Sequence, residues 1–283
     1  ALRARKLGPT APLDAPALRA ILALAEERLT AGRRDEVVAE LLALVESERF
    51  RPFAELDDGR AARALLGDAL ARGTVEEPAR QFLAPLLARR PLDVWGRRAL
   101  RVLVELALGS DRPAPTLEIL ARARPSLPEE LRGDVDHADG RAAANRGERT
   151  AALRALGGVG PRSRYRTEAT YLVGLLEVEG GRLKVGEASF CKLADPKRTP
   201  REALAFAGPE FFEIRDLARP GLGRVAHEQR RYDDARYCYY LVPRESPHLA
   251  EALYESEATR YEARDGATRG APPARRGRVG GGA

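Results

Sequence analysis

Apolar residues recur along the chain at steps of three and four, a period that predicts amphipathic α-helices. Leu18, Leu22 and Ala25 form the first such stripe. Asp14 precedes it and is expected to cap the helix, because its carboxylate can accept the unpaired backbone amides of the first turn. A second stripe follows over residues 37–45 after a short turn, so the sequence predicts a helix–turn–helix unit.

Small and large residues then recur at fixed intervals of twelve and four residues, and in two of three cases a proline follows eight residues later. The three sets are Gly67, Ala79, Leu83 and Pro91; Gly174, Gly186 and Phe190; and Gly223, Ala235, Tyr239 and Pro247. In addition, Pro91 and Pro125 are separated by 34 residues, and each closes a helical stretch.

These intervals resemble the tetratricopeptide repeat, a 34-residue helix–turn–helix module. The resemblance implies that the three glycines let a neighbouring helix approach closely, and that Leu83, Phe190 and Tyr239 fill the gap to the next repeat. It therefore predicts an all-α fold, a right-handed α-solenoid in which first helices line a concave groove and second helices cover the convex side.

The predicted repeat domain covers residues 14–262, with five to seven helix pairs and an insertion near 195–209. Residues 1–13 are interpreted as an irregular lead-in. Residues 263–283 are rich in glycine and arginine and offer little apolar area to offset backbone ordering, so a disordered tail is predicted there.

The composition agrees with a helical protein: 44% of residues are hydrophobic, 32% are charged and only 6% are aromatic. No stretch approaches the ~20 consecutive apolar residues of a transmembrane helix, and none is predicted. The sequence contains no methionine and begins with Ala1, which indicates a processed or partial chain. The compartment therefore stays open between the envelope or periplasm and the cytoplasm of a bacterium.

The net charge of +6 lies at the two ends of the chain. Residues 1–13 carry +3 and residues 259–283 carry +4, which leaves about −1 for the body between them. A surface that binds phosphates needs clustered positive charge. The charge distribution thus argues against nucleic-acid binding by the folded body.

Two motifs suggest chemistry, but neither has the context it needs. Residues 221–226 match the dinucleotide fingerprint, which requires a strand-to-helix turn, whereas 211–215 reads as helix. His227 and Glu228 begin a zinc-protease pattern whose second histidine is replaced by Arg231, so zinc would have a single ligand there. The sequence predicts no enzyme activity, no metal and no cofactor.

The expected function is that of a protein-interaction scaffold, which holds a partner peptide or helix in the concave groove. By analogy between the repeats, eight residues are expected to face that groove: Asp68, Arg72, Tyr171, Leu175, Glu179, Arg224, His227 and Glu228. Residues 239–254 are also similar to repeats of bacterial envelope scaffolds, such as those of gliding-motility machines. Two alternatives stay open, a regulatory helical module of a larger enzyme and an RNA-binding helical-repeat protein.

Overall fold

The computed structural model describes residues 13–194 and 211–270, with side chains described up to residue 264. Within these ranges the regular structure is helical throughout and contains no strand. The prediction of an all-α fold is confirmed for the described part of the chain. Residues 1–12 of the proposed lead-in, the whole proposed insertion at 195–209 and residues 271–283 lie outside it.

The chain divides into two compact units, Ala1–Glu148 and Arg149–Ala283, where the sequence predicts one repeat domain over 14–262. The helices of unit 1 are α1 (Ala15–Thr30), α2 (Arg34–Val45), α3 (Asp57–Arg72), α4 (Glu76–Leu83), α5 (Val94–Gly109), α6 (Ala114–Ala123) and α7 (Glu129–Asn145). Among the described residues of unit 2, the α-helices are α8 (Arg149–Gly157), α9 (Arg166–Glu179), α10 (Leu183–Ala194), α11 (Phe211–Glu228), α12 (Tyr232–Tyr240) and α13 (Leu249–Gly270).

In unit 1, helices that follow one another in sequence pack as pairs, namely α1 with α2, α3 with α4 and α5 with α6. We call α1, α3, α5 and α7 the first helices of this unit. Each contacts the next, from α1 to α3, from α3 to α5 and from α5 to α7. The first helices therefore lie side by side as one layer.

Side-chain caps define where two of these first helices begin. The Asp14 carboxylate accepts a hydrogen bond from the Ala17 amide at 2.7 Å, as the sequence predicts. Asp93 does the same for the Gly96 amide at 2.7 Å at the start of α5. Each cap satisfies one of the amides that the first helical turn leaves without a partner.

The repeated spacing corresponds to a close contact inside each helix pair. A Cβ atom added to Gly67 would lie 2.5 Å from Leu83 Cγ, and one added to Gly223 would lie 2.5 Å from Tyr239 Cε1. At Gly174 the corresponding distance, to Phe190 Cε1, is 2.6 Å. The prediction that these glycines permit close approach is confirmed, and the large residue sixteen positions later occupies the space above each of them.

Unit 2 repeats the arrangement with α9 and α10 as one pair and α11 and α12 as the next. Phe190 lies in a core cluster with Leu193, Ala194, Ala218 and Val225. A second cluster joins α11, α12 and α13 and is built from Ala226, Ala235, Tyr239, Val242 and Ala252. As in unit 1, the first helices α9 and α11 contact each other.

Helix α13 extends further toward the C-terminus than the sequence predicts. The predicted tail begins at 263, whereas α13 extends to Gly270. Residues 263–270 contain no proline, and their alanines and arginines favour helix once it is nucleated by the preceding turns. The proline-containing residues that follow lie outside the described part.

Candidate interaction surface

A cleft of about 460 Å³ lies on the layer of first helices in unit 1. It is lined from α1 by Arg19, Leu22, Ala23 and Glu26, from α3 by Asp58, Ala61 and Leu65, and from α5 by Val94, Trp95 and Arg98. On each helix these residues are spaced by three or four, or lie next to each other, so they form one stripe facing the same side.

The lining combines an apolar floor with one aromatic side chain. Leu22 and Leu65 are buried between the helices, whereas Val94 is exposed and Trp95 is half-buried. Trp95 is the only tryptophan of the chain. An indole that is half covered by its own protein keeps apolar area that a ligand can bury, and such residues often dominate binding energy.

Ion pairs between neighbouring first helices form the polar part of this surface. Arg19 Nε lies 3.0 Å from Asp58 Oδ2, which joins α1 to α3. Arg98 Nη2 lies 2.7 Å from Asp68 Oδ2 on α3, and Arg98 Nη1 lies 2.7 Å from Glu26 Oε2 on α1. Arg98 thus connects three helices.

Burial and the two carboxylate partners of Arg98 act on its pKa in opposite directions. Burial would lower the pKa of its guanidinium, but hydrogen bonds to Glu26 and Asp68 outweigh that effect, and the pKa of Arg98 is raised. Asp68 is almost fully buried, with 5% of its side chain exposed, and it also accepts a hydrogen bond from Arg72 Nε at 2.7 Å. Arg72 lies on the same helix as Asp68, so the charge-assisted bond to Arg98 is the one that joins α3 to α5.

Of the predicted groove residues of unit 1, Asp68 is therefore engaged in packing between helices, and Arg72 is exposed beside it. Neither residue lines the cleft, although the partner of Asp68, Arg98, does.

The predicted groove residues of α11 make equivalent contacts in unit 2. Arg224 Nη2 lies 2.6 Å from both Glu251 Oε1 and Glu255 Oε1 on α13. His227 Nδ1 lies 2.8 Å from Thr259 Oγ1, and His227 Nε2 lies 2.9 Å from Glu262 Oε2. As with Arg98, burial would lower the pKa of Arg224, whereas the hydrogen bond to Glu255 and the charges of Glu255 and Glu251 raise it.

The remaining predicted residues fall into two groups. Tyr171 and Leu175 are half-buried against the Phe190 cluster, and the Tyr171 and Phe190 ring centroids are 5.6 Å apart. Burial raises the pKa of the Tyr171 phenol. Glu179 and Glu228 are exposed, each at the last residue of its helix. Tyr171 and Leu175 thus serve mainly in packing.

Sequence reasoning missed the cleft because it located the groove by offsets from the three repeat glycines. None of the three sets of spaced residues falls in α1 or α5, which supply seven of the ten lining residues. One signal was available: Trp95 lies two residues after the Asp93 cap, in the first turn of an amphipathic helix. A large aromatic residue there has little of its own helix to cover it.

The motifs with catalytic associations have other structural roles. Residues 221–226 lie in the C-terminal half of α11, and 211–215 form its first turn, which confirms that a helix and not a strand precedes them. In the described ranges, no group of three or more histidine, cysteine, aspartate or glutamate residues could hold a metal ion. None of the helices described combines the length and apolarity needed to cross a bilayer.

No protein-family model matches the chain. A search of curated proteins likewise found no significant match.

Proposed function

We propose that this chain is a non-catalytic protein-interaction scaffold of the tetratricopeptide type, which holds a partner peptide or helix on its layer of first helices. In this proposal each unit is a stretch of right-handed α-solenoid. The observation that carries the proposal is the cleft around Trp95, which is built entirely from first helices.

Two features support the assignment to this type of repeat. The contact between each repeat glycine and the large residue sixteen positions later recurs in both units, at 2.5 to 2.6 Å from an added Cβ. The first helices also lie side by side, so a surface continuous over several repeats is available to an extended ligand.

The chemistry of the cleft favours a peptide with an apolar anchor. Leu22, Leu65 and Trp95 provide apolar area, and the ion pairs of Arg19 and Arg98 surround it. An apolar side chain buried at the centre supplies affinity, and a polar rim fixes the orientation of the ligand. Because the rim charges are paired across helices, a strongly charged ligand gains little there.

The proposal can be tested with Trp95 as an intrinsic probe. Peptides are selected from a displayed library on the full chain and are then titrated while tryptophan emission is followed. Since Trp95 is the only tryptophan, a ligand in the cleft is expected to shift the emission maximum. Val94→Asp should weaken binding at least ~10-fold, because it places a charge on the apolar lining.

Val94 is exposed and is the first residue of α5, where a carboxylate is favourable for the helix dipole, so the fold should tolerate the change. The matched control is Val185→Asp, an exposed valine on α10, which should leave affinity within about twofold. Selected peptides that bind both variants equally and leave the Trp95 emission unchanged would contradict the proposal.

A further inference from the structure

Helix α13 presents a stripe of large side chains to solvent. Leu253, Tyr254 and Tyr261 are 46%, 77% and 73% exposed. The opposite side of the helix is buried, and it includes Ala252 and Thr259, each with 0% exposure. The exposed residues follow one another at steps of three and four. The stripe, which we call the α13 outer face, consists of Ala250, Leu253, Tyr254, Glu257, Arg260, Tyr261 and Arg264.

An exposed face of this kind is a candidate interface. Isolated exposed apolar residues are common, but an aligned set that includes two tyrosines marks a surface with a partner. The same face carries charge of both signs, since Arg260 Nη1 lies 3.6 Å from Glu257 Oε2 and both side chains are about half exposed or more. The face therefore combines apolar and charged side chains.

The order of these residues is self-complementary. Leu253 and Tyr261 are equally distant from Glu257 along the helix, and so are Tyr254 and Arg260. In an antiparallel pair of α13 helices with the two-fold axis at Glu257, Leu253 would face Tyr261 of the other copy. Tyr254 would face Arg260, an arrangement that allows a cation–π contact.

A two-fold pairing of this kind would also bring opposite charges together across the interface. The two Glu257 side chains would meet near the axis, and each would have the Arg260 of the other copy one helical turn away. Two carboxylates and two guanidinium groups then share the centre and neutralise each other. A two-fold interface uses the same patch on both subunits and so requires this kind of self-complementarity.

We propose that the α13 outer face binds a second copy of this chain and forms a two-fold symmetric dimer through antiparallel α13 helices. The observations that carry the proposal are the exposure of Leu253, Tyr254 and Tyr261 and the presence of opposite charges, Glu257 and Arg260, one helical turn apart on the same face. The dimer does not depend on the peptide-binding function, because the cleft residues lie in unit 1 and α13 lies in unit 2.

The first test is the mass of the full chain by sedimentation equilibrium, at concentrations up to about 1 mM. A dimer is expected, and the double variant Tyr254→Ser with Tyr261→Ser should raise its dissociation constant at least ~10-fold. The matched control is Tyr237→Ser with Tyr240→Ser, which removes two exposed tyrosines from the neighbouring helix α12. This control should leave the dissociation constant within about twofold.

The second test separates a specific two-fold contact from general stickiness. Glu257→Arg and Arg260→Glu should each weaken self-association, because each places like charges opposite one another. An equimolar mixture of the two variants should restore a heterodimer, since the charges are then complementary. A parent chain that is monomeric over the whole range would overturn the proposal, as would a mixture that associates no better than either variant alone.

Discussion

The contact between Gly223 and Tyr239 allows the repeat interpretation to be tested by a single methyl group. In Gly223→Ala the new Cβ would lie 2.5 Å from Tyr239 Cε1 and 2.6 Å from Cζ. Ordinary carbon–carbon contacts are ~3.5 to 4.0 Å, so the ring must retreat by about 1 Å. The ring has little room to do so, because Tyr239 is only 2% exposed within the cluster that joins α11, α12 and α13.

The hydroxyl of Tyr239 adds a second constraint. Burial raises the pKa of this phenol, and the nearby Glu255 raises it further, while a hydrogen bond with Thr259 acts in the opposite direction. Both partners lie on α13, so a displaced ring also disturbs the contact with the next helix. Overpacking of this kind typically costs about 1 to 3 kcal/mol.

Replacing glycine by alanine inside a helix would by itself contribute about 0.5 to 1 kcal/mol of stability. The net expectation for Gly223→Ala is therefore a loss of about 0.5 to 2 kcal/mol, which lowers Tm by several degrees. The matched control is Gly157→Ala in α8, where an added Cβ meets nothing within 4 Å. In this control variant the free energy of unfolding should stay the same or rise.

Urea unfolding followed by circular dichroism measures both changes. A double-mutant cycle isolates their cause: in a Tyr239→Ala background the overlap is absent, and Gly223→Ala should become neutral or stabilising. A Gly223→Ala variant as stable as the parent would refute the reasoning. So would a loss of equal size in both backgrounds, because the glycine would then matter for a reason other than the ring above it.

Two further predictions concern the ion pairs of unit 1. Arg98→Ala removes one of the two arginine partners of the buried Asp68 carboxylate, so the free energy of unfolding measured in urea should fall by about 1 to 3 kcal/mol. Adding Asp68→Asn to this variant should restore part of that free energy, because the uncompensated charge is then removed. Equal stability of Arg98→Ala and the parent would contradict this. The pKa of Asp93 is lowered, since hydrogen bonds from Arg60 and the Gly96 amide outweigh burial, which would raise it. A carboxylate with a depressed folded-state pKa stabilises the fold above its unfolded pKa, about 4, and loses that contribution as the pH falls through the folded value. Unfolding midpoints of the parent should therefore fall more steeply below about pH 4 than those of Asp93→Asn, and parallel curves would count against the assignment.

The helix pairs could be predicted from the sequence because the signal is local. A glycine and a large residue sixteen positions later are brought together by one helix, one turn and one helix, and this geometry is the same wherever the unit occurs. The pairs with Gly67, Gly174 and Gly223 were found for this reason, and each shows the expected close contact.

The cleft could not be predicted in the same way, because it depends on contacts between helices distant in sequence. Arg19 and Asp58 are 39 residues apart, and Glu26 and Arg98 are 72 residues apart. No single repeat contains both members of either pair. Which charges meet is decided by how the first helices pack, and the spacing within one repeat carries no information about that.

The position directly after the repeat glycine shows what the groove prediction overlooked. Asp68, Leu175 and Arg224 occupy it in three repeats. Asp68 binds Arg98 on the next first helix, and Arg224 binds Glu255 on the next first helix, with the signs of charge exchanged. The position therefore joins one repeat to its successor in both units.

Exchanged signs at one position have a physical consequence. Ion pairs between consecutive first helices contribute little net stability where they are exposed. They nevertheless disfavour the packing of an incorrect helix at that place, because it would bring like charges together. The helix packed against Asp68 needs a cationic side chain opposite it, and the helix packed against Arg224 needs an anionic one. Two of the residues predicted to recognise a ligand, Asp68 and Arg224, thus pair with the next helix layer instead. In the proposed scaffold, ligand contacts then fall to the residues that line the cleft of unit 1, such as Asp58.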